Sequence, residues 1–208
     1  LSQAEISQSF DVFRQAGSLN ITFQVMFIAL NAVILLKGLS QGIEKWSKFM
    51  TSALFLVLIG LASYSMQLEG FAQAVEYLLY PDFSKLSGRG VLSALGLALF
   101  TLSLAYGAVL TYGSYLKPDE DIPKTASIVV AANIIASILI ALAIFPMIFT
   151  FGFAPESGEG LIFKTLPYVF LQLPGSLVIA VVFFVLLLFA ALTSSLAMFE
   201  VVVANFSD

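Results

Sequence analysis

The sequence predicts an all-α integral membrane protein with five spanning helices. Of its 208 residues, 60% are hydrophobic and only 11% are charged, whereas soluble domains carry about 25% charged residues. Five apolar segments are long enough to cross a bilayer core of about 30 Å, which takes about 20 residues of helix. They cover residues 19–37, 47–67, 91–116, 125–153 and 176–204. We interpret residues 1–208 as a single membrane domain.

Short polar connections separate the first span from the second and the third from the fourth. Residues 38–46 and 117–124, with their borders, carry five of the nine basic residues, namely Lys37, Lys45, Lys48, Lys117 and Lys124. Basic residues collect on the cytoplasmic side of membrane proteins, so we expect both connections on that side.

The two longer connections, 69–81 and 154–175, are predicted to be helical loops on the outer side. Residues 69–80, "EGFAQAVEYLLY", have the apolar spacing of a short amphipathic helix that Pro81 would end. In the second loop the apolar run "LIFKTLPYVFLQL" is too short to span, and Pro167 would bend it. We interpret this run as a hinged cap on the bundle; an interfacial loop without function is the alternative.

The start of the chain indicates a fragment. Leu1 stands where a Met would begin a complete protein, and the opening "LSQAEISQSFDVFRQAGS" is too polar for a signal peptide. We therefore expect this sequence to be a piece of a longer chain.

Composition narrows the chemistry that the chain can carry. Cysteine and histidine are both absent, and 9 basic residues against 13 acidic ones give a net charge of -4. This excludes disulfides and the usual zinc sites, and no nucleic-acid partner is expected. The serines inside the spans lack an activating base, so an enzyme is not predicted. Any ion-binding site on this chain must therefore use oxygen ligands.

Neutral oxygens, rather than ionisable groups, lie at mid-depth in the predicted spans. They belong to Thr101, Ser103, Tyr106, Asn133, Ser137, Thr193, Ser194 and Ser195. Hydroxyl, amide and freed carbonyl oxygens are hard ligands that suit an alkali cation. The alternative is that these hydroxyls bond back to their own helices or pack one helix against another.

The third span, with "LFTLSLAYG" at its middle, is predicted to be interrupted near residues 102–106. A continuous helix occupies its carbonyls, so an ion site needs the hydrogen-bond ladder to open. Gly107 is permissive enough to allow this, and Ser103 can offer a partner to a freed backbone group.

The last two spans offer further oxygens. Thr193 and Ser194 are consecutive, so their side chains point about 100° apart on a helix. Both can therefore contact one ion only if the ion lies beside the helix at their level. The carbonyl of Ala190, one turn earlier, could be the third ligand. Asn133 carries a carboxamide, which is costly to bury unpaired and must find partners within the bundle.

Several segments together resemble the neurotransmitter:sodium symporter family, especially its bacterial sodium-dependent amino-acid transporters. They are "LFTLSLAYGAVLTYGSYL", "PDEDIP", "AAN", "LFAALTSSLAMFE", "KGLSQGIEKWSKFM" and "LLYPDFSKL". In the family's order, they cover almost the whole chain. The resemblance implies helices four to eight of a transporter built from two inverted five-helix repeats, with a broken sixth helix. Helices one to three of the same transporter would then be missing partners.

The resemblance also implies a role for individual residues. The substrate-binding positions are Phe100, Thr101, Ser103, Tyr106, Ser194 and Met198. The sodium ligands are Thr101 and Asn133 for one ion, and Ala190, Thr193 and Ser194 for a second. Ser137 matches a chloride ligand of some members, but Leu97 replaces another ligand of that anion site, so we do not claim chloride.

The function implied is sodium-coupled symport of a neutral amino acid across the bacterial inner membrane, with about half of each site on this chain. Phe100, Tyr106 and Met198 would give the substrate an apolar wall. The alternative is a multi-pass structural or assembly subunit whose hydroxyls only pack helices.

Overall fold

The computed structural model describes residues 2–38, 43–80, 82–104, 107–117, 119–153 and 158–207. Within these ranges every regular element is helical, so the predicted all-α class is confirmed. The helices are α1 (Gln3–Gln15), α2 (Gly17–Leu35), α3 (Lys45–Ser65), α4 (Phe71–Leu79), α5 (Gly88–Thr101), α6 (Ala108–Ser114), α7 (Ile122–Thr150), α8 (Leu166–Gln172) and α9 (Ser176–Ser207). A 3-10 turn (Phe83–Lys85) precedes α5 and a π-helical turn (Leu161–Thr165) precedes α8. In length and apolar character, α2, α3, α7 and α9 suit a membrane span.

Side-chain caps set where two of these helices begin. The Ser87 hydroxyl accepts from the Gly90 N–H at 3.1 Å, and Asp121 Oδ1 accepts from the Lys124 N–H at 3.1 Å. Such caps satisfy N–H groups that the first helical turn leaves unpaired. Helices α5 and α7 therefore begin ahead of the apolar runs at 91 and 125.

The break in the third span is confirmed, and it is built as a regular helix end. Helix α5 stops at Thr101 and α6 starts at Ala108. The Ser103 N–H donates to the Phe100 carbonyl and the Leu104 N–H to the Leu99 carbonyl, both at 3.0 Å. These are the two bonds of a Schellman motif, in which the residue after the cap is left-handed.

Among the described residues of the break, Ser103 and Gly107 have left-handed backbone. Ser103, at φ +58°, takes the place that glycine usually holds in the motif, whereas Gly107, at φ +79°, tolerates it without a steric cost. A left-handed non-glycine residue costs about 1–3 kcal/mol. The interruption is therefore encoded locally, with strain at a residue predicted to contact substrate.

The core lies where α3, α7, α8 and α9 meet. Buried apolar side chains here are Leu58, Leu61, Ala143, Met147, Ile148, Leu166, Val169, Phe170, Phe183 and Leu186. A second, smaller cluster joins α2 and α3 to α9 through Ile34, Met50, Leu192 and Leu196. Helix α9 is thus packed along two sides by the rest of the bundle.

Helix α4 packs closely on α7 at Gly70, the residue that precedes α4. The Gly70 N–H donates to the Thr150 hydroxyl at 2.9 Å, and that hydroxyl donates to the Pro146 carbonyl at 2.7 Å. A Cβ atom at Gly70 would stand 2.5 Å from both the Pro146 carbonyl oxygen and the Thr150 nitrogen. Further along α4, the Tyr77 ring packs on Phe145 at 5.4 Å between centroids. The first long connection is therefore fixed to α7.

The second long connection is tied to α1. A capping box between Ser2 and Glu5 opens α1. Lys164 Nζ contacts both carboxylate oxygens of Asp11, at 2.9 and 3.1 Å, and the Phe163 and Phe10 rings stack at 5.4 Å. Helical turns continue on both sides of Pro167, because the proline lies in the first turn of α8, where its missing N–H breaks no α-helical bond.

Candidate functional site

Two of the predicted sodium ligands on α9 are close neighbours. The Thr193 hydroxyl donates to the Ala190 carbonyl at 3.0 Å and to the Phe189 carbonyl at 3.1 Å. A hydroxyl has one hydrogen and two lone pairs, so this back-bonding leaves its oxygen able to coordinate an ion. Hard cations of the size of Ca²⁺ hold oxygens at about 2.3–2.6 Å. Two oxygens 3.0 Å apart therefore fit side by side in one coordination shell.

Ser194 and Met198 lie on one side of α9, because residues four apart share a helix face. Both are exposed within the described ranges, Met198 by 43%. The Ser194 hydroxyl has no hydrogen-bond partner among the residues that the structure describes. The described helices thus leave this predicted substrate side of α9 uncovered.

The predicted site residues before the break are on an exposed helix. No residue of α5 is buried, and Phe100 is 61% exposed. The Thr101 hydroxyl donates to the Ala98 carbonyl of its own helix at 3.2 Å. In the described part of the chain no hydrogen bond joins Thr101 to Asn133, and their pairing as ligands of one ion stays a prediction. Tyr106 lies outside the described residues.

The expectation that Asn133 finds partners within the bundle stays a prediction. Its side chain is half-buried on α7, and no described group hydrogen-bonds its carboxamide. A half-exposed amide keeps access to partners outside these ranges, so burial does not force a bond. The Ser137 hydroxyl, exposed on the same helix, donates to the Asn133 backbone carbonyl at 2.8 Å. This back-bond gives no support to an anion site at Ser137.

Helix α6, after the break, is anchored to α9. The Tyr115 hydroxyl donates to Glu200 Oε1 at 2.7 Å, and Glu200 is only 8% exposed. The C-terminal end of α6 is therefore held against α9 near Glu200.

Removing the Tyr115 hydroxyl is expected to destabilise the protein more than altering its acceptor does. Tyr115→Phe leaves the buried Glu200 carboxyl group without this donor, which costs about 1–3 kcal/mol. Glu200→Gln keeps a carbonyl oxygen for the tyrosine and costs less. Thermal unfolding of the two variants in detergent measures the order, and equal melting temperatures would contradict this role of the hydroxyl.

Sequence reasoning missed a second polar contact to α9. Asn31 on α2 is 1% exposed and accepts a hydrogen bond from the Ser195 hydroxyl at 2.7 Å. The sequence signal for this contact is a carboxamide within an apolar span, and Asn133 carries the same kind of signal. Likewise, a carboxyl group within the last span was the signal for the Glu200 contact.

A cavity of about 240 Å³ lies between α3, α7 and α9. Its walls are apolar and include Leu58, Ala143, Met147, Leu187 and Ala190. An ion stripped of water needs oxygen ligands, which these side chains do not offer. The cavity is therefore not the predicted cation site.

Comparison with known proteins gives one consistent result. The model of the sodium:neurotransmitter symporter family matches residues 3–208. An uncharacterized sodium-dependent transporter of Bacillus subtilis, YhdH, is 42% identical over 99% of this chain and 46% of its own length. One from Haemophilus influenzae is 39% identical over 90% of this chain and 41% of its own length.

A solved structure is also similar. The crystal structure of MhsT in complex with L-phenylalanine matches with a TM-score of 0.86 at 36% identity, over 97% of this chain and 46% of that one. The chain thus spans about half the length of the relatives that it matches.

Proposed function

Because this chain belongs to the sodium:neurotransmitter symporter family, a family of transporters and not of enzymes, we propose that it forms helices four to eight of a sodium-coupled symporter of a neutral amino acid. Helices one to three of the same transporter complete its sites. The relatives from Bacillus subtilis and Haemophilus influenzae are sodium-dependent transporters, which supports coupling to this ion. The bilayer that it spans is the bacterial inner membrane.

The observation that carries the proposal is the close oxygen pair of Ala190 and Thr193 on α9. Ser194 completes this chain's share of the second sodium site, and Thr101 and Asn133 supply its share of the first. With an ion beside the Ala190 carbonyl, the Thr193 hydrogen turns wholly to the Phe189 carbonyl, 3.1 Å away. The threonine lone pairs then face the ion.

Coupling follows from charge. A sodium ion held by neutral oxygens leaves a positive charge in a medium of low dielectric constant, where it attracts the carboxylate of the substrate strongly. Ion and amino acid therefore raise each other's affinity, and this coupling is reciprocal.

The substrate is a neutral amino acid with an apolar side chain. We assign Phe100, Tyr106 and Met198 to the apolar side of the substrate site, and Thr101, Ser103 and Ser194 to its polar side. MhsT was crystallised with L-phenylalanine, which supports this class.

Uptake by the complete transporter in proteoliposomes tests the proposal. We expect an inward sodium gradient to drive accumulation of labelled L-phenylalanine, and potassium in place of sodium to abolish it. Replacing chloride with gluconate should change nothing, since the Ser137 site lacks a second ligand at Leu97. Uptake that does not depend on sodium would contradict the proposal.

A structural subunit is the second candidate, and one observation favours it. The hydroxyls of Thr101, Ser137 and Thr193 all donate to carbonyls of their own helices. A packing role alone produces such bonds. Under this alternative, a well-folded complete protein shows no sodium-driven uptake of any neutral amino acid.

A further inference from the structure

A hydrogen bond to the buried Asn31 holds the rear of α9. The Asn31 carboxamide accepts from Ser195 Oγ through Oδ1 at 2.7 Å and donates through Nδ2 to the Phe27 carbonyl at 2.8 Å. A backbone carbonyl only accepts, so the amide nitrogen must face Phe27 and the amide oxygen must face Ser195. The orientation of Asn31 is thereby fixed by its own helix.

Ser195 lies opposite the predicted sodium ligands. Successive helical residues turn by about 100°, so Ser195 is rotated by roughly 150° from the direction midway between Thr193 and Ser194. The apolar neighbours at this contact are Ile34, Met50, Leu192 and Leu196. Apolar contact is non-directional, whereas a hydrogen bond depends on angle as well as distance.

We propose that Asn31 and Ser195 form a positioning pair that sets the rotation of α9. By holding the rear of the helix, the pair directs the hydroxyls of Thr193 and Ser194 toward the second sodium ion. This inference rests on the proposed function. It adds α2, which carries no predicted ligand, to the elements that determine sodium affinity.

Three variants of the complete transporter separate positioning from stability. Ser195→Ala leaves the Asn31 oxygen buried without a donor, whereas Asn31→Leu leaves Ser195 its bond to the Leu192 carbonyl at 3.0 Å. The double variant removes both partners, and a buried pair replaced by apolar groups of similar shape is nearly neutral for stability. Binding of radioactive sodium without substrate and thermal unfolding are measured in parallel.

We expect the half-saturating sodium concentration to rise about 10-fold in all three variants, as for other groups that orient metal ligands. The melting temperature should fall most in Ser195→Ala and return close to the unmodified value in the double variant. If the pair only stabilised the fold, the double variant would recover its sodium affinity together with its melting temperature.

Ser65→Ala is the matched control. Ser65 is fully buried, as Asn31 is, and its hydroxyl donates across helices, from α3 to the Ala143 carbonyl of α7, at 2.7 Å. Its loss should lower the melting temperature and leave sodium affinity unchanged. If the Asn31 and Ser195 variants bind sodium like the unmodified protein, the positioning pair is disproved. If the unmodified transporter binds no sodium, the proposed function fails first.

Discussion

Replacing Thr193 with valine and Ser194 with alanine in the complete transporter is expected to abolish sodium-driven uptake. Valine keeps the shape of threonine but removes the oxygen that lies 3.0 Å from the Ala190 carbonyl. The proposed second sodium site would then lose two of the ligands that we assign to this chain. Groups that only orient a metal ligand cost 10–100-fold in affinity, so the loss of two ligands should cost at least about 100-fold.

The measurement is the sodium dependence of uptake in proteoliposomes, at matched protein content. Ser127→Ala is the control, because the Ser127 hydroxyl also bonds back to its own helix, to the Pro123 carbonyl at 2.8 Å, but lies outside the proposed sites. If uptake by the double variant has the same sodium dependence as uptake by the unmodified protein, the α9 hydroxyls serve only in packing.

Gly70→Ala is expected to be the most damaging single substitution for the fold. The added methyl group would lie 2.5 Å from two backbone atoms of α7, which cannot turn aside as a side chain can. Overpacking of this kind costs about 1–3 kcal/mol, and here it also removes the fit that lets the Gly70 N–H reach Thr150. Helix α4 should therefore separate from α7, with a lower melting temperature and poorer yield.

Gly60→Ala is the matched control for that substitution. Gly60 lies inside α3, and a Cβ atom added there would meet no described atom of another segment within 4 Å. Alanine is favoured over glycine in a helix by about 1 kcal/mol, so this variant should match or exceed the unmodified protein. Equal melting temperatures for the two variants would contradict the close contact at Gly70.

Much of the fold was predictable, because the lengths of the apolar segments and the position of Gly107 are signals carried by residues close together in the sequence. The break before Gly107 was predictable in this way, since the residues around it specify both the helix end and the left-handed turn. The helical N-terminal segment was missed, although Ser2 and Glu5 have the spacing of a capping box.

Contacts between distant segments were not predictable. Asn31 and Asn133 carry the same signal, a carboxamide in an apolar span, yet the first is buried against Ser195 and the second has no described partner. Which helix faces each amide depends on packing, and one sequence does not reveal that. The same holds for Tyr115 and Glu200, which are 85 residues apart.

Sodium binding by α9 is best tested with a structure of the complete transporter at saturating sodium. We expect an ion in contact with the Ala190 carbonyl and the Thr193 and Ser194 hydroxyls, and a Thr193 hydrogen bond to the Phe189 carbonyl alone. If Thr193 still donates to Ala190 and no ion lies beside α9, neutral oxygens on this helix do not bind sodium.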